Sequence, residues 1–388
     1  MWRPRLIVLQ PTPYCNIDCD YCYLRNRDDR RLMASAVVDA IKDRLFVRIA
    51  PDAAPRIVWH AGEPTVVPLA WYERTYQSLR PVTPSAAVFA VQTNGIAISK
   101  DWIEFLLRTD TKIGLSIDGP EQFHDARRKT RGGAPTWSLV MKNLRTLQSA
   151  GLRPNVITVL HRECLAAAKD FYRFYRDNDI ANVSFSIDEI NGANAGSSFD
   201  GADYRTAMSA FLLEILSLAF VEGYHLHIRE IERISQLLAA ETILRNEQVE
   251  SWDVVAVAAN GDVTSFSPDF MELRSADHND FCFGNILQND FDDLLDSAFF
   301  KRTAEEIRVG VDRCRSSCRC FGVCGGGSPS NKMSENKSLA SSETSFCRLS
   351  IQAPADALIE FLRDRAEMRL PGHQSASSNS SRSSSMTP

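Results

Sequence analysis

Six short apolar runs alternate with stretches of helical periodicity between residues 6 and 187, and this alternation restricts the chain to few folds. The runs are 6–10 (Leu-Ile-Val-Leu-Gln), 57–60, 88–93, 112–117, 155–160 and 182–187, each read as a buried strand. Val37, Ile41 and Leu45 repeat at helical spacing after the first run, and further helical patterns cover 68–79, 100–108, 138–150 and 166–177. Strands that alternate with helices imply βαβ units and a parallel sheet. Six such units make a partial (β/α)6, TIM-like barrel, so the class is α/β. Function in such a fold belongs at the C-terminal ends of the strands.

Beyond the alternation, 193–203 reads as a loop, and helices are expected over 204–222 and 228–246. A hairpin over 253–265 turns at Asn260-Gly261, a type I′ signal. A helix near 291–308 leads into a second group of cysteines, and a last amphipathic helix covers about 353–369. The expected division is a core over 1–195, a helical bridge over 196–250, a cysteine-bearing domain over 251–352, a C-terminal helix over 353–370 and a disordered Ser-rich tail over 371–388. Net charge of -5 argues against non-specific nucleic-acid binding. No apolar run approaches the roughly 20 residues that cross a bilayer, and no signal-peptide pattern opens the chain. A cytoplasmic location is therefore expected, with no membrane partner. Ten cysteines in that compartment point to metal or redox chemistry rather than to disulfides.

The first cysteines sit directly after the first strand. Cys15, Cys19 and Cys22 stand at C-x3-C-x2-C spacing. Thiolates are good ligands for iron–sulfur clusters. Three on one short loop can hold three irons of a [4Fe–4S] cube and leave the fourth iron open. An open iron can chelate a small molecule that carries an amine and a carboxylate, such as S-adenosylmethionine (SAM). The alternative is zinc, which wants four ligands, usually with C-x2-C pairs. Tyr21 stands before the last cysteine, where it can stack on an adenine.

Each later strand end carries polar residues. Trp59-His60-Ala61-Gly62-Glu63-Pro64 follows the second strand; Gly62 allows close backbone approach, and Glu63 can accept hydrogen bonds from a ligand ammonium. The plain alternative for Glu63 is an exposed loop carboxylate. Gln92-Thr93-Asn94-Gly95 follows the third strand and can meet a ligand carboxylate or ribose. Ser116-Ile117-Asp118-Gly119-Pro120 follows the fourth and would form a turn in any case. Arg127 and Arg128 offer a guanidinium for a carboxylate.

In this order the elements over residues 5–192 resemble the radical SAM superfamily, with Ala61 in place of the commoner first glycine of the Gly62-Glu63-Pro64 element. The resemblance implies Cys15, Cys19 and Cys22 as ligands of a SAM-binding [4Fe–4S] cluster. It implies Tyr21, Gly62, Glu63, Asn94, Ser116 and Arg128 around SAM. In that family one electron injected into SAM breaks a C–S bond, and the resulting 5′-deoxyadenosyl radical takes a hydrogen atom from the substrate. An external one-electron reductant is thus an implied partner.

Residues 314–328 read Cys-Arg-Ser-Ser-Cys-Arg-Cys-Phe-Gly-Val-Cys-Gly-Gly-Gly-Ser, with Cys347 after a polar loop. This resembles the SPASM (twitch-like) extension of peptide-modifying radical SAM enzymes, and implies Cys314, Cys318, Cys324 and Cys347 around one auxiliary [4Fe–4S] cluster. Four thiolates also suit zinc. Ser328 and Ser265-Phe266-Ser267 stand where a second auxiliary cluster would want cysteines. Cys320 is expected to face away from the cluster, as a spare able to substitute for Cys318. Cys164 and Cys282 are expected to be structural thiols.

The wording Val-Leu-Gln-Pro-Thr-Pro-Tyr-Cys-Asn-Ile-Asp-Cys-Asp-Tyr-Cys-Tyr-Leu, Val-Trp-His-Ala-Gly-Glu-Pro, Ala-Asn-Gly-Asp-Val-Thr-Ser-Phe-Ser-Pro and Cys-Gly-Gly-Gly-Ser-Pro-Ser-Asn-Lys resembles the glycine-rich-peptide maturases, the GRRM group, over most of residues 5–350. That implies a ribosomally made precursor peptide as partner, and C–C cyclophane crosslinks between an aromatic ring carbon and a Cβ. The base is not assigned: Asp118 and Glu189 lie near strand ends, and each has a plainer role in a SAM loop or in the structure. Thioether or formylglycine formation is the alternative chemistry, and a non-catalytic electron carrier the alternative class. Leader recognition is expected at the barrel rim, in 193–250 or near the second cysteines, since the first strand begins almost at once.

Overall fold

The computed structural model describes residues 1–240 and 244–369. The expected Ser-rich tail 371–388 and the part of the 228–246 helix at 241–243 lie outside the described residues.

The six expected strands form within a residue or two of their sequence limits. They are β1 (Leu6–Leu9), β2 (Arg56–Trp59), β3 (Val88–Thr93), β4 (Lys112–Ser116), β5 (Asn155–Leu160) and β6 (Asn182–Ile187). All five neighbouring pairs in the order β1-β2-β3-β4-β5-β6 are parallel. Helices α1 (Ser35–Ala40), α2 (Leu69–Leu79), α3 (Lys100–Thr109), α4 (Trp137–Ser149) and α5 (Ala168–Asp177) fill the crossovers. The architecture is a partial (β/α)6 barrel.

Helix–sheet contact supplies the core. Ser99 caps α3 by accepting from the Trp102 backbone N–H, which satisfies a donor the helix start leaves free. Trp102, Ile103, Phe105 and Leu106 then share its buried face. Tyr72 of α2 stands against Trp59, Trp71 and Trp102 at centroid separations of 5.2, 4.9 and 4.7 Å, each edge-on. Such pairs contribute roughly 0.5–1.5 kcal/mol each beyond area burial. On α5, Phe171, Tyr172, Phe174 and Tyr175 are buried at the same helical spacing.

The sheet does not stop at the expected boundaries. After α6 (Arg205–Glu222), the short β7 (His227–Ile228) pairs parallel with β6, and α7 (Arg229–Ala240) follows. At the other edge β8 (Val254–Val257) pairs parallel with β1. Antiparallel β9 (Asp262–Ser265) and β10 (Gly284–Asn285) extend it, so ten strands form one sheet. The cysteine-bearing region is thereby built onto the barrel's first strand.

Two local expectations need correction. The hairpin turn is not type I′: Gly261 has φ +91°, but Asn260 is not left-handed. The Gly261 N–H donates to the Ala258 carbonyl (2.9 Å), and Ala258 N–H to Asp262 O (2.9 Å), giving a wider loop with one left-handed residue. The helix near 291–308 is two helices. Ser297 ends the first, Phe291–Asp296, and caps the second, α8 (Ala298–Ser317). The longer α8 carries Cys314 into its last turn.

Candidate functional site: two thiol centres and a cavity beside the second

Cys15, Cys19 and Cys22 lie beyond the C-terminal end of β1. A two-stranded ribbon, Ile17–Cys19 against Arg128–Thr130, pairs Cys19 with Arg128. Arg131 Nε donates to the Cys15 carbonyl (2.7 Å) and Arg27 Nη1 to the Cys19 carbonyl (3.2 Å), which fixes the loop from outside. Two side chains point at the thiols: Asn94 Nδ2 at Cys15 Sγ and Arg128 Nη1 at Cys19 Sγ, both 3.8 Å. Burial pushes Cys15 up to about 11 and Cys19 up to about 12, and raises Cys22 as well. These are protonated thiols at neutral pH, so an activated cysteine nucleophile is not what the loop provides. Metal binding would release those protons.

Gly62 presses against the loop with φ +100°. A Cβ there would stand 2.1 Å from the Thr12 carbonyl. Glu63 N–H donates to Tyr14 O (2.7 Å). The Glu63 carboxylate is neither an exposed loop group nor free for a ligand ammonium. It is 1 % exposed and accepts from Thr65 N, Thr65 Oγ1, Thr93 Oγ1 and Asn94 N at 2.6–2.8 Å. It ties the end of β2 to the end of β3 and places Asn94 against Cys15. Burial raises its pKa while these donors oppose the rise.

Arg128 is also committed within the protein. Its Nε and Nη2 grip Asp118 Oδ2 and Oδ1 at 2.8 and 3.1 Å, and Tyr21 OH donates to Asp118 Oδ2 at 2.6 Å. Burial alone would raise the Asp118 pKa, but Arg128, His124 and Tyr21 hold it below the usual carboxylate range. Asp118 is thus an ionised brace, not a base. The Tyr21 ring lies between the Arg128 guanidinium (5.4 Å) and the His161 ring (5.3 Å). Ser116 Oγ accepts from Gln92 Nε2 at 3.0 Å across β4 and β3.

The second thiols line one cavity of about 470 Å3. Cys314 comes from the end of α8, Cys318, Cys320 and Cys324 from the turns after it, and Cys347 from a one-turn helix, Ser345–Cys347. Cys320 does not face away; it lines the cavity with the other four. Three thiols have internal donors: Lys332 Nζ to Cys314 Sγ at 3.4 Å, Gly327 N to Cys324 Sγ at 3.0 Å and Gln352 Nε2 to Cys347 Sγ at 3.6 Å. Cys347 and the Gly326 and Gly327 backbone N–H groups lower the Cys324 pKa, and the contact with Cys324 raises that of Cys347. Cys282 lines a different cavity, beside Gln10 and Asp29, and Cys164 is fully buried. Among the described residues, no three His, Cys, Asp or Glu side chains converge tightly enough for a single metal ion.

A further cavity of about 390 Å3 reaches from Glu189, just past β6, to Cys324 and Cys347. Asn331, on α9 (Pro329–Asn336), donates to Glu189, while Ser267 and Ser330 donate to Asp269 at 3.2 and 3.3 Å. Burial, then the Asp269 charge, raises the Glu189 pKa; burial raises that of Asp269. Asp269 escaped the sequence reading, since Ser-Pro-Asp resembles any turn.

Residues 9–175 match the family model described as the radical SAM superfamily. The whole chain has a relative 31% identical over 366 residues, an uncharacterized protein of Synechocystis sp., with 92% of each covered. The chain belongs to the radical SAM superfamily. As a radical SAM enzyme it uses SAM and iron–sulfur clusters of the [4Fe–4S] type. A Cysteine-type anaerobic sulfatase-maturating enzyme of Clostridium novyi is 22% identical over 84% of this chain and 88% of its own length. In fold, the chain is similar to native anSMEcpe with bound AdoMet and Cp18Cys peptide: TM-score 0.76 at 18% identity, over 94% of this chain and 100% of that one. Among the described residues, no helix of this radical SAM enzyme is long and apolar enough to cross a membrane.

Proposed function

We propose that this radical SAM enzyme modifies a ribosomally made precursor peptide, joining an aromatic ring carbon to a Cβ in a cyclophane. The observation that carries the reading is the cavity that reaches from Glu189, just past the end of β6, to Cys324 and Cys347 of the second thiol centre. An oxidative crosslink needs a place to deliver one electron and one proton after the new bond forms, and both stand on that cavity's walls. Cys15, Cys19 and Cys22 would hold the first cluster, with Asn94 and Arg128 donating toward its thiolates. Cys314, Cys318, Cys324 and Cys347 would hold one auxiliary cluster. When bound, the clusters and SAM supply a 5′-deoxyadenosyl radical and an electron acceptor.

The chain's own contribution is placement. Glu63 locks the second and third strand ends, Asp118 orients Arg128 and Tyr21, and the Glu189–Asp269 pair can take up a proton inside the cavity. Two like carboxylates in one buried site hold a proton that separate ones would release.

The anaerobic sulfatase-maturating relative and fold favour a second reading, oxidation of a Cys or Ser side chain to an aldehyde. A short Gly-rich, aromatic-bearing peptide encoded in a neighbouring reading frame would favour the cyclophane, and anaerobic co-expression with that peptide would separate the two. Loss of two hydrogens per modified ring, with fragmentation blocked between the joined residues, is expected. A linear product that reacts with a hydrazide probe would refute the cyclophane.

A further inference from the structure

We propose that Lys332 is the counter-charge of the auxiliary cluster and sets how readily that cluster accepts an electron. The proposal rests on reading Cys314–Cys347 as a cluster site.

Lys332 is 3 % exposed, on α9 just after the Gly325–Gly327 loop. A buried ammonium without an anion is strongly disfavoured, so the fold keeps one only where an anion meets it. Among the described residues its one hydrogen-bond acceptor is Cys314 Sγ, at 3.4 Å, and no carboxylate pairs with it. The other cations on the cavity wall are spent or solvated: Arg205 grips Asp356 with two hydrogen bonds at 2.7 and 2.9 Å, and Arg319 is exposed. The chain also packs tightly beside this ammonium. Gly310 lies inside α8, where glycine is a poor helix former. A Cβ there would stand 2.3 Å from the Leu339 carbonyl and 3.1 Å from Lys332 Nζ.

A thiolate-ligated cluster is an anion and gains one more negative charge on reduction. No bond breaks and no proton moves; one electron passes from a reductant, or from a substrate radical in turnover, into the cluster. A fixed positive charge against one ligand sulfur favours the reduced form. The other two donors, Gly327 N–H and the Gln352 amide, are neutral and favour it less.

The test uses the full chain with Cys15→Ala, Cys19→Ala and Cys22→Ala, so that only the auxiliary site holds iron, in an EPR-monitored reductive titration. Lys332→Met should retain iron, yet at a fixed potential its reduced-to-oxidised ratio should fall about tenfold, or 59 mV for one electron. Lys332→Arg should recover most of that loss. Full iron with an unchanged midpoint in Lys332→Met overturns the proposal. Should Lys332→Met lose iron, retention in Lys332→Arg supports a counter-charge, and loss in Lys332→Arg too overturns it as a packing role. A parent variant that holds no iron overturns the cluster reading itself.

Discussion

The first thiol centre is three cysteines on one eight-residue loop, braced through the carbonyls of Cys15 and Cys19 and reached by side-chain donors only at 3.8 Å. The second gathers five cysteines from three segments over residues 314–347, and buried donors reach three of them at 3.0–3.6 Å. The first is short of ligands, the second has one to spare. A centre that must bind and release a small molecule needs an open position, and a local loop suffices for it. A centre that only exchanges electrons can be closed, and closing it takes residues from α8, α9 and the Arg348–Gln352 turn that leads into α10 (Ala353–Arg369).

This contrast is best broken by deleting each centre in turn. Cys15→Ala/Cys19→Ala/Cys22→Ala should abolish SAM cleavage below detection and keep about half of the iron. Cys324→Ala/Cys347→Ala should also keep about half, retain SAM cleavage and lose the peptide crosslink. Iron assay and product chromatography under anaerobic reduction decide the matter. If the first variant still cleaves SAM, the division of labour is wrong.

Gly62→Ala should be the next largest effect. Its φ of +100° and the Thr12 carbonyl 2.1 Å from a new Cβ predict a loss of about 2–3 kcal/mol in unfolding free energy, with weakened SAM binding. Denaturant unfolding and equilibrium dialysis would check it. A wild-type midpoint would mean that the loop yields freely, unlike the closed second centre.

The smallest effect is a pH response of opposite sign around the two centres. Burial depresses His60 and His124, near the first centre, to about 4 from 6.5. The unfolded chain binds their protons first, so stability should fall as pH drops from 6.5 toward 4. Glu189 and Asp269, beside the second centre, have raised values. There the folded chain keeps protons that the unfolded chain releases. Their contribution is therefore present in acid and lost as pH rises above the ordinary values of 4.5 and 3.8. Glu189→Gln should flatten the alkaline limb by on the order of 1 kcal/mol and leave the acid limb alone. Denaturant midpoints across pH would measure it, and an unaltered alkaline limb would refute the assignment.

Much of the fold was legible because its signals are local. Strand period and helix period show within ten residues, and six strands and their crossovers followed. The hairpin misread came from treating Asn260-Gly261 as sufficient, when the Ala258–Asp262 hydrogen bond sets a wider loop. The cysteine spacing revealed both centres. Partners at long separation did not show: Asp118 with Arg128 and Tyr21, or Glu189 with Asn331, 142 residues apart.

By itself the sequence determined which residues are chemically able to act: thiols at ligand spacing, polar groups after each strand, and an alternation that puts them on one end of a sheet. Tertiary structure alone decided which of them are free. It spent Glu63 and Arg128 on internal bonds, brought Cys320 to the same cavity as its neighbours, and set Lys332 against Cys314, where no carboxylate among the described residues pairs with it. The reason is physical. Ligand chemistry depends on atom type and is written locally, whereas desolvation and the pairing of buried charges depend on what the rest of the chain brings alongside.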